Sequence, residues 1–382
     1  MKKIDEMIKQ LCPNGVEKVK LGNVARLVRG KVISKMYVAE HAGEYPVYSS
    51  QTANNGVFGK IDSYMFDGDY LTWTTDGVYA GTVFRRKGKF NITNICGLID
   101  IKSKDINIDF LFYWLSITTS KYVNKGIDNP KLMSNVVELI EIPIPPLSIQ
   151  KEIVRVLDKF SELIEKTDEE IALRQKQYAY YKRILFSKDY PTMKIGDITR
   201  VFSASRVHKN EWKTSGVPFY RSSDVISFHR GEKNSRGDVF ISEELFEKLS
   251  AKSGKIRIGD LLVTGGGTIG VPYIVQFEPL YVKDADLLCI IKNDTLDNRF
   301  LYHYMKSEQF HDYLSSITHD ATIAHYTISQ IKETPVPVPS WDEQQRLIDT
   351  LDKFETLISK LKEERELRQK QYEYYREKLL TF

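Results

Sequence analysis

Three cysteines in 382 residues, Cys12, Cys96 and Cys289, lie far apart and form no C-x-x-C pair, so neither a disulfide framework nor a zinc site is expected. No run approaches the ~18 apolar residues that a bilayer-spanning helix needs. Met1-Lys2-Lys3 resembles the start of a signal peptide, but Asp5, Glu6 and Lys9 leave no apolar stretch behind it. The expectation is a cytoplasmic chain without a membrane partner. A large excess of one charge is missing too: the net charge is +4, residues 19–146 carry 15 Lys+Arg against 12 Asp+Glu, and residues 190–339 carry 18 against 18. Neither segment is basic enough to announce nucleic acid by itself, so such a reading must rest on local clusters.

Catalytic signatures are also missing. There is no P-loop, no NPPY- or DPPY-like tetrapeptide, and no H-x-x-x-H or H-E-x-x-H pair among the seven histidines. GGGTIG at 265–270 fits G-x-G-x-x-G, yet VPYIVQF follows it, which reads as a strand where a dinucleotide site needs a helix. A strand–turn–strand loop is expected there. No catalytic residue, metal ligand or cofactor is assigned, and the chain is expected to do no chemistry alone.

What is present is a repeat. Leu157 to Leu185 recurs without a gap from Leu351 to Leu379, 194 residues later, sharing the LDKF opening and the LRQKQYxYY ending. Spacings of four and three run through Ile153, Leu157, Phe160, Ile164, Thr167 and Ile171 in one copy and through Leu347, Leu351, Phe354, Ile358 and Leu361 in the other. That is a heptad seam with charged residues on the other faces. Neither copy contains Gly or Pro, so each predicts a helix of about 36 residues, roughly 50 Å long. Two matched seams predict packing on each other. Antiparallel packing lets the intervening segment enter and leave at one end, giving a rod with a globe at each end and a pseudo-two-fold axis.

The repeat extends into the globes. VKLGNVARLVRG (Val19 to Gly30) answers to MKIGDITRVFSASR (Met193 to Arg206), YPVYSS to VPFYRSS, GDYLTWTTDG to GDLLVTGGG, and FLFYWLS to FLYHYMKS. Short β-branched and aromatic runs alternate with Gly, Asp and Asn turns, predicting a mixed α/β globe with a mostly antiparallel sheet. Helices are expected around 109–120 and 297–315, with shorter ones around 132–139 and 326–332. The Pro-rich exits EIPIPPL and TPVPVPSW are expected to stop strand and helix alike.

Recognition surface is the remaining functional signal. In the first globe the candidates are Ser50, Gln51, Asn54 and Asn55 in the SSQTANN loop, and Thr74 and Asp76 in TTDG. Amide and hydroxyl groups suit base edges. Arg85, Arg86 and Lys89 in RRKGK, read as a basic hairpin, suit phosphates. In the second globe Arg206 and Lys209, Arg221, Ser222 and Ser223, and Thr264 and Thr268 occupy corresponding places. Equivalent loops carrying different side chains suggest two versions of one kind of target.

The helical signatures IPPLSIQKEIVRVLDKF and LRQKQYAYYKRIL, their second copy, and YPVYSSQ…GDYLTWTTDGVYAGTVF…NITNICG resemble the specificity subunit of type I restriction–modification systems over essentially the whole chain. The resemblance implies two α/β target recognition domains, 1–146 (with the short N-terminal helix) and 188–339. They would be separated by two long helices, 147–187 and 340–382, packed as an antiparallel coiled coil. It implies bipartite recognition of double-stranded DNA, one half-site per domain. It also implies two methyltransferase and two restriction/translocase subunits as partners, which would carry S-adenosylmethionine, ATP and Mg²⁺. The second exit departs from the first, with Ser340-Trp341 in place of Pro146-Leu147. The residues alone leave two other readings open: a dumbbell-shaped coiled-coil scaffold joining two proteins without DNA, and the specificity module of a related enzyme that acts without a translocase.

Overall fold

In the computed structural model, which describes residues 2–126, 129–230, 239–318 and 325–382, the two repeat copies form helices of 40 residues (Leu147–Phe186) and 39 residues (Trp341–Leu379). Each begins directly after a proline-containing exit and meets no Gly or Pro inside. The chain divides into two units: Met1–Asp168 with Glu364–Phe382, and Glu169–Glu363.

In the first unit, Phe160 stacks on Tyr375 with centroids 5.2 Å apart, and Arg365 pairs with Asp168 at 3.1 Å. Ile153, Leu157 and Leu379 share a buried cluster with Ile4 and Phe110. In the second unit Tyr181 meets Phe354 at 5.3 Å, Tyr178 donates to Glu355 at 2.8 Å, and Leu185 and Phe186 pack with Leu347, Ile348 and Leu351. In both, rising numbers on one helix meet falling numbers on the other, so the pairing within each unit is antiparallel.

The first unit carries strands β1 (Lys18–Lys20), β2 (Ala25–Arg29), β3 (Ala42–Tyr48), β4 (Val57–Ile61), β5 (Phe66–Thr74), β6 (Val83–Ile92), β7 (Cys96–Ile101) and β8 (Glu141–Pro143). A six-stranded sheet runs β2-β7-β5-β6-β3-β4, antiparallel except for β3 beside β6. Trp73, Leu71 and Ile99 pack under the helix Ile108–Thr118. The second unit carries β9 (Thr192–Lys194), β10 (Val201–Ser203), β11 (Val217–Tyr220), β12 (Phe240–Ile241), β13 (Leu261–Thr264), β14 (Pro272–Ile274), β15 (Tyr281–Val282), β16 (Leu287–Ile290) and β17 (Pro335–Pro337). They form a four-stranded sheet β10-β16-β13-β14 and a three-stranded one, β12-β11-β15, whose β11–β15 pair is parallel. β13 and β14 flank GGGTIG, which is therefore a strand–turn–strand loop.

Two local expectations change. The Pro-rich exits do not stop the strands: β8 pairs with β1 and β17 with β9 as two-stranded ladders, where a proline can occupy an outer edge. The helix expected over 297–315 is two helices, Asn298–Met305 and Glu308–Ser316, because the Ser307 hydroxyl caps the second at the Phe310 amide.

Each globular body is pinned to its long helix by equivalent groups. Gln150 is fully buried; its Oε1 accepts from the Asn107 amide at 2.8 Å, and its Nε2 donates to the Asp105 and Pro145 carbonyls at 2.7 Å. Gln344, 194 residues later, does the same with the Asp297 amide and the Thr295 and Pro339 carbonyls. Tyr113 donates to Asp158 at 2.6 Å, and His303 stands in the equivalent place, 2.7 Å from Asp352.

Burial lowers the His303 pKa, and the hydrogen bond to Asp352 only partly opposes it. A histidine held neutral in the fold takes up a proton on unfolding, so its stabilisation is complete above pH ~6.5 and is lost as the pH falls through the lowered folded value. The second unit should therefore weaken between pH 7 and 5 in urea titrations, and His303→Gln should flatten that slope in part. His229 and His311, also lowered by burial, act in the same direction. An unchanged slope in the variant would remove His303 from this role.

Candidate nucleic-acid interface

The same backbone bonds assemble a rim on each unit. In the first unit the Thr93 amide donates to the Tyr48 carbonyl, the Thr75 amide to Ile95, and the Leu132 amide to Thr75. In the second, Lys283 donates to Tyr220, Gly265 to Asp286, and Tyr326 to Gly265. These contacts gather the end of β3, the β5–β6 hairpin and the β6–β7 turn in one body. In the other they gather the end of β11, the β13–β14 hairpin and the β15–β16 turn.

On the first rim stand Ser50, Asp76 and the exposed Asn94, with Lys131 3.9 Å from Asp76. Arg29 donates to the Asn94 carbonyl at 3.1 Å, and Lys31 bridges to Thr93. On the second stand Arg206, 3.5 Å from Asp284, and Ser222, whose hydroxyl donates to the Asp286 carbonyl at 2.6 Å. Ser223, Gly266, Gly267, Lys283 and His325 line a cleft of about 360 Å³ there. Sequence reading missed Arg29, Lys31, Asn94, Lys131, Lys283 and His325. Single residues between strands give no pattern until the topology joins their turns.

Several expected DNA-binding residues turn out to support the rim from within. Thr74 and Thr264 are fully buried. The Thr74 hydroxyl donates to the Tyr79 carbonyl and accepts from the Thr82 amide, and the Thr264 hydroxyl donates to Thr268 and accepts from Val271. Each threonine braces its hairpin and offers nothing to a ligand. Arg221 is buried in a two-bond pair with Asp224, both bonds 2.9 Å.

RRKGK is not a hairpin: it lies inside β6, with Arg85 opposite Leu71 and Lys89 opposite Asp67. Arg85 pairs with Asp109 at 2.7 Å and with Asp69 at 3.6 Å. Arg86 is only 2 % exposed, its guanidinium 3.5 Å from the Tyr48 ring centroid, and burial lowers its pKa. It donates to Thr72 Oγ1 and to the Asn55 carbonyl at 2.9 Å, so it holds the SSQTANN loop and cannot reach a phosphate. Lys89 is exposed and lies 4.6 Å over the Tyr64 ring.

Within that loop Gln51 donates its amide to the Val57 carbonyl, so its Nε2 closes the loop. Asn54 and Asn55 are exposed, with φ of 50° and 51°. Thr268 and Lys209 are exposed, Thr268 at the hairpin tip and Lys209 in a short turn that no rim contact reaches among the described residues.

His303, Asp352 and Glu355 bring ligand-type atoms within 4.8 Å of one another. Arg299 and Lys306 already neutralise both carboxylates, so the group is an ion-pair network tying its helices together.

Residues 13–173 and 187–369 each match the type I restriction modification DNA specificity domain. The chain is 34 % identical to a type I specificity subunit of Mycoplasma pneumoniae, across 95 % of this chain and 97 % of that one. It is 31 % identical to a type I restriction enzyme specificity subunit of Haemophilus influenzae, across 95 % and 94 %. The crystal structure of a type I restriction–modification S subunit from M. genitalium has the same fold, with a TM-score of 0.62, 16 % identity and 97 % of both chains covered. Two matched domains, full-length relatives and a duplicated rim agree: the chain belongs to the DNA specificity subunits of type I restriction–modification systems.

Proposed function

We propose that this subunit reads a bipartite site on double-stranded DNA, the first rim taking one half-site and the second the other, with an unread spacer between them. The observation that carries the reading is the recurrence of one backbone hydrogen-bond pattern under different side chains. A duplicated reader with diverged rims suits two half-sites of different sequence. Residues 1–146 and 188–339 serve as the two target recognition domains, and 147–187 and 340–382 as the helices that set the spacer.

The subunit also scaffolds two methyltransferase subunits and, for cleavage, two restriction/translocase subunits. S-adenosylmethionine, ATP and Mg²⁺ act on those partners. Leu173 and Tyr180 are exposed on one long helix, and Leu367 and Tyr374, 194 residues later, are exposed on the other. Matched apolar patches suit two copies of one partner.

Salt dependence tests the DNA reading. If Lys31 and Lys131 neutralise phosphates, the double alanine variant should lower the slope of log K against log salt by up to about 1.8 on every duplex, specific or random. An unchanged slope would mean that the first rim does not face DNA.

A further inference from the structure

The β5–β6 hairpin of the first unit ends in a tip that is rigid and apolar at once. Besides the Thr74 brace, the Gly81 amide donates to the Thr74 carbonyl at 2.8 Å, the Gly77 amide to Pro130 at 3.0 Å, and the Thr82 hydroxyl to Tyr79 at 2.8 Å. What this frame holds out is Val78, 85 % exposed, beside Tyr79. A fixed valine in water gains nothing for the fold, and here it stands two residues after Asp76, which pairs with Lys131 on the rim assigned to DNA. In the second unit the same frame carries Gly267 at the corresponding place, one residue before the carbonyl that its threonine bonds, with no side chain to offer.

A turn presented to the major groove meets base edges that carry polar groups, and the C5-methyl of thymine is the apolar group among them. We propose that Val78 reads an A·T pair in the first half-site by packing on that methyl group, and that the second unit has no such reader at Gly267. This rests on the reading that the rims face DNA.

The test uses the full chain with its methyltransferase partner and a duplex carrying the recognised site, each thymine being replaced in turn by deoxyuridine. Affinity is followed by fluorescence anisotropy. Loss of one buried methyl contact should weaken the wild-type complex about fourfold at a single thymine. Val78→Ala should weaken the parent duplex at least as much and be indifferent to deoxyuridine at that position. Val78 is almost wholly exposed, so the alanine variant has no packing to lose.

The inference is overturned if no thymine matters, if Val78→Ala keeps the full thymine-to-uracil ratio, or if the variant loses its methyltransferase partner while free-chain DNA affinity is unchanged. A wild-type complex that fails to distinguish its site from random duplex would instead refute the underlying reading, before any variant is made.

Discussion

Arg86→Ala is expected to destabilise the first unit by about 3 kcal/mol and to abolish discrimination at the first half-site. The side chain is buried among Tyr48, Phe84 and Thr72, and its truncation leaves a void and strips donors from Thr72 Oγ1 and the Asn55 carbonyl. Asn54 and Asn55 sit in the left-handed region, which costs non-glycine residues of order 1 kcal/mol or more each and persists only when the surroundings enforce it. Arg86 and Gln51 are the groups that enforce it. Arg86→Met keeps most of the volume without the buried charge and should cost only about 1 kcal/mol, yet it should lose the same discrimination because the loop is no longer held. Hydrogen exchange over residues 49–57 reads the loop, and site-specific against random binding reads the function. A methionine variant with intact specificity would show that the loop holds its shape without the guanidinium.

Gln150→Leu and Gln344→Leu should each cost about 4 kcal/mol, and each in its own unit. Either change removes the fully buried amide that joins one backbone N–H to two carbonyls, at roughly 1–3 kcal/mol for each group that water does not reach. Glutamate in the same place can still accept from the amide, but it turns a charge toward two carbonyls and should be no better than leucine. Hydrogen exchange separates the two cases. Gln150→Leu should raise exchange in Ile108–Thr118, and Gln344→Leu in Asn298–Met305, while the other unit is unaffected. A loss below about 1 kcal/mol in either unit would mean that water or a rearranged loop replaces the amide.

Features with a period or a repeat were legible in the sequence. The long helices follow from heptad spacing and the lack of Gly and Pro, and the strand–turn–strand reading of GGGTIG follows from the strand-like VPYIVQF behind it. The loops at 49–55, 74–77, 204–209, 221–223 and 265–268 stand out in the sequence because the duplication marks equivalent positions.

The failures were of side-chain direction. Thr74, Thr264, Arg86 and Arg221 have the chemistry of DNA readers, but strand alternation and the hairpin frames turn the first three inward, and the pair with Asp224 does the same for Arg221. RRKGK looks like a basic turn because Gly88 punctuates it. Its φ of 82°, opposite Gly68, instead marks an irregularity inside a continuous ladder. Lys31, Asn94 and Lys131 lie far apart in sequence and meet only through non-local pairing.

Methylome sequencing of cells carrying this chain together with the methyltransferase subunit proposed as its partner tests the central claim most directly. The account predicts two short specified blocks of different sequence, separated by an unspecified spacer of fixed length, with their centres about one helical turn apart, roughly 34–36 Å. A single contiguous recognition block would contradict it.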